Sequence, residues 1–209
     1  MLPSNPRVLT CPKCKGQKDV LSLMSGNTFG ATYWSDTKRE APMLPEVSVV
    51  QKCPHCGYYY FANKQSYKTS DKEYSFELGI LSFDDCKEAL TQFLHESLDA
   101  EDEKTLRIYT LFAFNDKYYR HPEGSMPNED ANFKDDYLYF KDNALRLIEL
   151  FENDDETALF RAELYREIEM YKECLSLIRK VNEENERIST IKNAIKERAE
   201  VYDYAVFRI

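Results

Sequence analysis

Apolar and polar positions follow two different patterns along the chain. Up to Ile80, short apolar runs rich in valine, tyrosine and phenylalanine are separated by glycine, proline and polar residues, which predicts short β-strands joined by turns. From residue 81 onwards, apolar residues recur every three or four positions, which is typical of amphipathic helices packed on one another. We therefore predict an α+β protein with a β domain at residues 1–80 and an α-helical domain at residues 81–209.

Five stretches of the first half are predicted strands. They are Arg7–Thr10, Asp19–Leu23, Phe29–Trp34, Val47–Gln51 and Tyr58–Phe61. The last two should pair as a hairpin. Aromatic residues at successive positions of the last strand indicate that both of its faces are covered.

Six stretches of the second half are predicted helices. They span residues 82–98, 106–118, 133–151, 159–168, 171–181 and 188–206. The second is apolar on most of its sides, so it should be central among the helices. A loop at residues 121–128 and a break at residues 153–155 are predicted on either side of the third helix.

Two Cys-x-x-Cys pairs lie in the first half, Cys11 with Cys14 and Cys53 with Cys56, with 38 residues between them. In a reducing compartment such pairs are read as metal ligands before disulfides. Four thiolates close a tetrahedral site and leave no open position, so we predict one structural Zn²⁺ as the cofactor. The alternative is a pair of redox-active dithiols. It is disfavoured because neither pair begins a helix that would lower a thiol pKa.

The residues around the cysteines refine this prediction. Gly57 follows the second pair, where glycine eases a tight turn, whereas Lys15 occupies the equivalent position after the first pair. We therefore expect the first turn to be looser. His55 should face solvent, and the two remaining cysteines, Cys86 and Cys174, fall at apolar helix positions where buried thiols are common.

A long insertion at residues 25–46 separates the cysteine pairs, and long ordered loops often carry function. Its chemistry-bearing residues are Trp34, Asp36, Lys38 and Arg39, which we interpret as a candidate ligand- or peptide-binding site. The alternative is that Trp34 plugs the junction of the two domains and the charged residues are solvated.

Charge is distributed unevenly. Residues 1–80 have 10 Lys+Arg against 7 Asp+Glu, whereas residues 81–209 have 18 against 30. The acidic half disfavours nucleic acid, which is itself a dense line of negative charge. A nucleic-acid interface therefore remains possible for the β domain alone, using its tyrosines and the basic residues Lys13, Lys15, Lys18, Lys38 and Arg39.

Part of the helical half resembles one tetratricopeptide repeat. The match runs through Ala162, Tyr165, Tyr171 and Cys174 and departs at Arg161, and no second copy lies 34 residues away, so an ordinary helical bundle is the alternative. Three further runs extend the resemblance: 45–58, Ala113-Phe114-Asn115-Asp116 and Ala162-Glu163-Leu164-Tyr165-Arg166. Together they resemble an uncharacterised bacterial family that pairs an N-terminal zinc ribbon with a tetratricopeptide-type tail. The resemblance implies that architecture and the ligands Cys11, Cys14, Cys53 and Cys56, and it implies no activity.

The leading hypothesis is a zinc-stabilised binding or scaffold protein with another protein or a peptide as its partner. Nucleic-acid binding is the second hypothesis. An enzyme with its site at residues 25–46 is the third, since the sequence has no glycine-rich phosphate loop, Gly-x-Ser-x-Gly or His-Glu-x-x-His motif. No stretch approaches the roughly 20 apolar residues of a membrane helix. The N-terminus has no basic start or apolar run, so we expect a cytoplasmic protein.

Overall fold

The computed structural model describes residues 1–120, 131–151, 157–182 and 185–209. As predicted, the fold is α+β, with small antiparallel sheets in the N-terminal part and helices in the C-terminal part. The predicted loop at residues 121–128 and the predicted break at 153–155 lie outside the described residues.

The chain forms two compact units. Unit 1 comprises residues 1–32 and 40–97, and unit 2 comprises residues 33–39 and 98–209. This division differs from the predicted boundary at residue 80 in two places. The first helix belongs to unit 1, and a short piece of the insertion belongs to unit 2.

The described strands are short. They are β1 (Leu2–Pro3), β2 (Arg7–Thr10), β3 (Gln17–Val20), β4 (Leu23–Ser25), β5 (Thr32–Tyr33), β6 (Arg39–Glu40), β7 (Val50–Lys52), β8 (Tyr59–Phe61) and β9 (Tyr67–Thr69). Strand β2 is central in a three-stranded antiparallel sheet, with Val8 opposite Asp19 of β3 and Lys68 of β9. The other pairs are β1 with β4, β5 with β6, and the predicted hairpin β7 with β8.

Two predicted strands are shorter than expected because other groups take their hydrogen bonds. The Asn27 side chain accepts from the backbone N–H of Phe29 at 3.0 Å, which favours a turn there, and only Thr32–Tyr33 remains as strand. Ser48 donates its backbone N–H to Leu78, at 2.9 Å, so β7 begins only at Val50.

Strand β8 is buried along its whole length, which confirms that both faces are covered. One covering element is α1 (Phe83–His95), which begins at Ser82 with a capping box to Asp85. The rings of Phe61 and Phe93 lie 5.0 Å apart. Gln92 accepts from the backbone N–H of Tyr59 at 3.0 Å and donates to its carbonyl at 2.9 Å. Helix α1 is therefore held to the strand by both apolar and backbone contacts.

Unit 2 contains the other helices of the described chain: α2 (Ala100–Tyr118), α3 (Phe133–Leu150), α4 (Ala158–Glu167), α5 (Tyr171–Ile178) and α6 (Glu186–Glu200). Helix α2 packs against α3, and the Phe114 and Phe140 rings stack at 4.2 Å. Helices α4 and α5 form a second packed pair. Helix α6 ends at Glu200 instead of extending to residue 206, because Tyr202 takes a left-handed conformation (φ 61°) that stops the helix.

Candidate metal centre

The four cysteines of the two pairs converge in unit 1. Their Sγ atoms all lie within 4.8 Å of one another, with Cys11 and Cys56 3.8 Å apart and Cys14 and Cys53 3.5 Å apart. A tetrahedral ion with metal–sulfur bonds of about 2.3 Å requires neighbouring sulfurs about 3.8 Å apart. All four thiols are free, and their separations exceed the roughly 2.0 Å of a disulfide. The geometry therefore fits one tetrahedral metal ion, and four sulfur ligands are typical of zinc or iron.

The two cysteine turns have the same backbone structure. The N–H of Lys15 donates to Cys11 O at 3.0 Å, and the N–H of Gly57 donates to Cys53 O at 2.9 Å. Lys15 and Gly57 are both left-handed, with φ angles of 62° and 71°. The first turn is thus no looser than the second. The lysine adopts a conformation that costs a non-glycine residue about 1–2 kcal/mol.

His55 connects the two turns. Its Nε2 lies 3.1 Å from Gln17 O, and its ring packs so closely on Gly16 that an added Cβ there would lie 2.3 Å from Cδ2. Gly16 also donates its backbone N–H to the sulfur of Cys14 at 3.4 Å. The glycine is therefore required by close packing. His55 itself is solvent-exposed, as predicted, and the four-sulfur set is complete without it.

The sulfur cluster favours a cation. The backbone N–H of Tyr58 lowers the pKa of the Cys56 thiol, but desolvation and the hydrogen bonds with the other three thiols outweigh it and raise that pKa to about 12. Without a positive ion, the four thiols therefore hold their protons against one another. A divalent metal would replace those protons and stabilise the thiolates, which are the ligand form.

The predicted binding residues of the insertion lie in unit 2. Trp34 is buried between two guanidinium groups, with those of Arg120 and Arg208 centred 5.2 and 5.3 Å from its ring. The backbone around it pairs with the C-terminal residues. Ser35 donates its N–H to Phe207 O at 2.8 Å, and Ile209 donates its N–H to Tyr33 O at 2.9 Å.

Asp36 is fully buried, and its carboxylate accepts hydrogen bonds from the Lys38 backbone at 3.2 Å, from Asn115 at 2.9 Å and from the Arg120 guanidinium. The Lys38 ammonium pairs with Asp116, and Arg39 lies half-buried in β6. Segment 33–39 is therefore held within unit 2 by its own side chains. A ligand-binding role for these four residues stays a prediction.

Sequence reasoning missed a set of buried polar residues in unit 2. They are Asn115 on α2 and Glu163, Arg166 and Glu167 on α4. Arg166 forms a two-pronged ion pair with Glu163, at 2.8 and 2.6 Å, and donates to the carbonyls of Asp203 and Ala205. The signal that could have found them is the presence of charged residues at positions that the helical period assigns to the interior.

The basic residues of the predicted nucleic-acid interface are dispersed. Lys18 bonds to Gln51 at 3.1 Å and lies 3.4 Å from Glu77. Lys15 donates to Pro12 O at 2.8 Å. Lys38 and Arg39 belong to unit 2, whereas Lys13, Lys15 and Lys18 belong to unit 1.

A different part of unit 1 brings aromatic and basic residues together. Tyr67, Tyr74 and Phe76 are exposed by 56, 59 and 65%. Lysines 64, 68 and 72 lie in the same stretch of chain.

Unit 2 has a groove of about 630 Å³ bounded by α3, α4 and α5. Its apolar lining includes Leu145, Ile148 and Leu177, and its charged lining comprises Glu149, Arg161, Lys172, Glu173 and Lys180. Glu149 is paired with Arg146 at 3.0 Å. The groove is of the size that usually takes a small molecule or a short peptide.

Within the described ranges, no helix combines the length and the apolar character needed to cross a membrane. No family model matches the chain, and neither the curated proteins nor the solved structures contain a match. The resemblance to a zinc-ribbon and tetratricopeptide-type family therefore stays an expectation from the sequence.

Proposed function

We propose that this is a zinc-stabilised binding protein. One Zn²⁺, held by the four-sulfur centre of unit 1, has a structural role because the four thiolates leave no coordination position for a substrate. The binding function belongs to unit 2. The observation that carries it is the groove bounded by α3, α4 and α5, and the proposed occupant is an acidic peptide segment of a partner protein.

Charge complementarity supports an acidic occupant. Unit 2 as a whole is acidic, with 19 Lys+Arg against 27 Asp+Glu, yet the groove is lined by three basic and two acidic residues. One of the acidic residues, Glu149, is already neutralised by Arg146. Neither Lys172 nor Lys180 forms an ion pair within the residues that the structure describes. Both ammonium groups are thus available to carboxylates, while the apolar lining would accept hydrophobic side chains.

Selection from a random peptide library on the full-length, zinc-loaded protein tests this proposal. We expect selected peptides to combine acidic and apolar residues. In fluorescence anisotropy, Lys172→Glu and Lys180→Glu should each weaken binding about tenfold or more, as like charges meet across the interface. The matched control is Lys196→Glu on α6, an exposed lysine that does not line the groove. Selected peptides without acidic residues, or an equal loss in the control, would refute the acidic-peptide assignment.

The metal proposal has its own test. Elemental analysis of the purified chain should find one zinc per molecule, and Cys11→Ser or Cys53→Ser should abolish that stoichiometry. Cys86→Ser is the control, since Cys86 is a buried thiol of α1 outside the sulfur cluster. Iron in place of zinc, or stoichiometric zinc retained in the serine variants, would refute the assignment.

A second candidate function, single-stranded nucleic-acid binding, is favoured by the exposed aromatic and basic stretch at residues 64–76. Stacking of one base on an aromatic ring contributes about 1–3 kcal/mol. Binding of a fluorescent oligonucleotide should then be salt-dependent and weakened by Tyr67→Ala or Tyr74→Ala. It should be unaffected by Tyr202→Ala, an equally exposed tyrosine of unit 2. No binding at low salt would exclude this function.

A further inference from the structure

Four polar residues form a buried centre in unit 2, which we name the α2–α4 polar centre: Asp36, Asn115, Arg120 and Glu167. The Asn115 amide nitrogen donates to Asp36 Oδ2 and to Glu167 Oε2, both at 2.9 Å. Asp36, Asn115 and Glu167 are at most 1% exposed. One side-chain amide therefore joins two buried carboxyl groups, one from segment 33–39 and one from α4.

Two acceptor atoms of this centre are left without hydrogen bonds. Asn115 Oδ1 and Glu167 Oε1 have no partner among the described residues. Rotating the amide would not relieve this, because it would turn Oδ1 towards both carboxyl groups and lose two hydrogen bonds. Buried acceptors are almost always satisfied, so the two orphaned oxygens require an explanation.

The charges around the centre leave Glu167 uncompensated. The groups near it are Glu163 and Arg166 on α4, Asn115 and Tyr119 from the α2 side, Arg120, Asp36 of segment 33–39 and Tyr137 on α3, whose hydroxyl donates to Glu167 O. Arg166 is bonded to Glu163, and Arg120 is bonded to Asp36 and to Asp116. Each cation is thus committed to another carboxylate, and among the described residues no cation is hydrogen-bonded to Glu167.

We propose that the α2–α4 polar centre binds one proton, which makes Glu167 a neutral acid at neutral pH and bridges Glu167 Oε1 to Asn115 Oδ1. A single proton converts two orphaned acceptors into a donor–acceptor pair and removes the uncompensated charge. Burial, and secondarily the Glu163 carboxylate, raise the pKa of Glu167 to about 8, in agreement with this assignment.

The proton makes the seating of segment 33–39 sensitive to pH. When Glu167 ionises, a second buried anion faces Asp36 across the Asn115 amide, and Asp36 is the residue that holds the segment. A carboxyl group whose pKa is raised in the folded state contributes stability that is complete below its unfolded pKa and is lost as the pH rises through the folded value. The segment should therefore loosen above about pH 8.

Glu167→Gln tests the proposal, because glutamine supplies one donor and one acceptor as the neutral acid does. Trp34, the single tryptophan of the chain, lies in segment 33–39 and reports its seating by fluorescence. In denaturation of the zinc-loaded full chain, the folding constant of the natural protein should fall about tenfold per pH unit above pH 8, relative to Glu167→Gln. Thiols and tyrosines titrate equally in both proteins and cancel in the comparison.

Carbon-13 NMR of labelled glutamate carboxyls provides the direct readout. One resonance, absent in Glu167→Gln, should titrate with a midpoint above pH 7. Glu163→Gln is the matched control, since Glu163 is equally buried on the same helix but paired with Arg166. It should lower stability while keeping the alkaline loss. A Glu167 resonance that titrates near the ordinary value of about 4.3 would overturn the proposal. So would stability at neutral pH that depends on the identity of the monovalent cation, which would assign the site to a metal ion.

Discussion

Arg166 is the most consequential single side chain of unit 2, and its replacement by methionine should destabilise that unit strongly. The side chain is fully buried, is paired with Glu163 and donates to two backbone carbonyls of the C-terminal segment. Removing one partner of a buried ion pair costs about 3–5 kcal/mol because the remaining charge is left unpaired. We therefore expect Arg166→Met to lower the free energy of unfolding by about 4 kcal/mol.

The double variant Glu163→Leu/Arg166→Met separates the charge effect from the carbonyl effect. It removes the unpaired anion but still leaves the carbonyls of Asp203 and Ala205 without their donor. Each lost hydrogen bond of this kind contributes about 1 kcal/mol, so the double variant should recover only about half of the loss.

Urea denaturation, followed by both circular dichroism and Trp34 fluorescence, measures both values. A loss below about 1 kcal/mol for Arg166→Met would show that the ion pair is not buried as described. A double variant as stable as the natural protein would show that the two carbonyls do not depend on Arg166.

Three further predictions concern other parts of the molecule. A zinc chelator should abolish the β circular dichroism of unit 1, since bound zinc contributes about 10–16 kcal/mol in small modules; a retained signal would contradict this. Gly16→Ala should weaken zinc binding, because the new Cβ would lie 2.3 Å from the His55 ring, and adding His55→Ala should restore it. The hydrogen bond from Arg146, and then that from Arg107, lower the pKa of Glu103 to about 2 despite partial burial. Stability should therefore be lost as the pH falls from about 4.5 towards 2, and Glu103→Gln should flatten that acid limb in denaturation measured against pH.

Local chemistry made much of the fold predictable. The hairpin at the second cysteine pair, the capped start of α1 and the positions of α3 and α4 follow from alternation, capping and helical period, which neighbouring residues determine. The proposal that four cysteines share one metal site could likewise be made from spacing, because thiolate pairs have few other uses in a reducing compartment. The length of the strand before Trp34 could not, since it depends on an Asn27 side-chain bond that competes with the sheet.

The sequence by itself determined an α+β chain with a four-cysteine cluster, because periodicity and ligand type act over a few residues. Only the tertiary structure decided what residues 33–39 do. Their side chains suggested a ligand site, but Asp36 meets Asn115, 79 positions later, and Trp34 meets Arg208 at the C-terminus. Such partners are chosen by packing between distant parts of the chain. A buried carboxyl group such as Glu167 acquires its unusual proton affinity from that packing, and no local pattern records it.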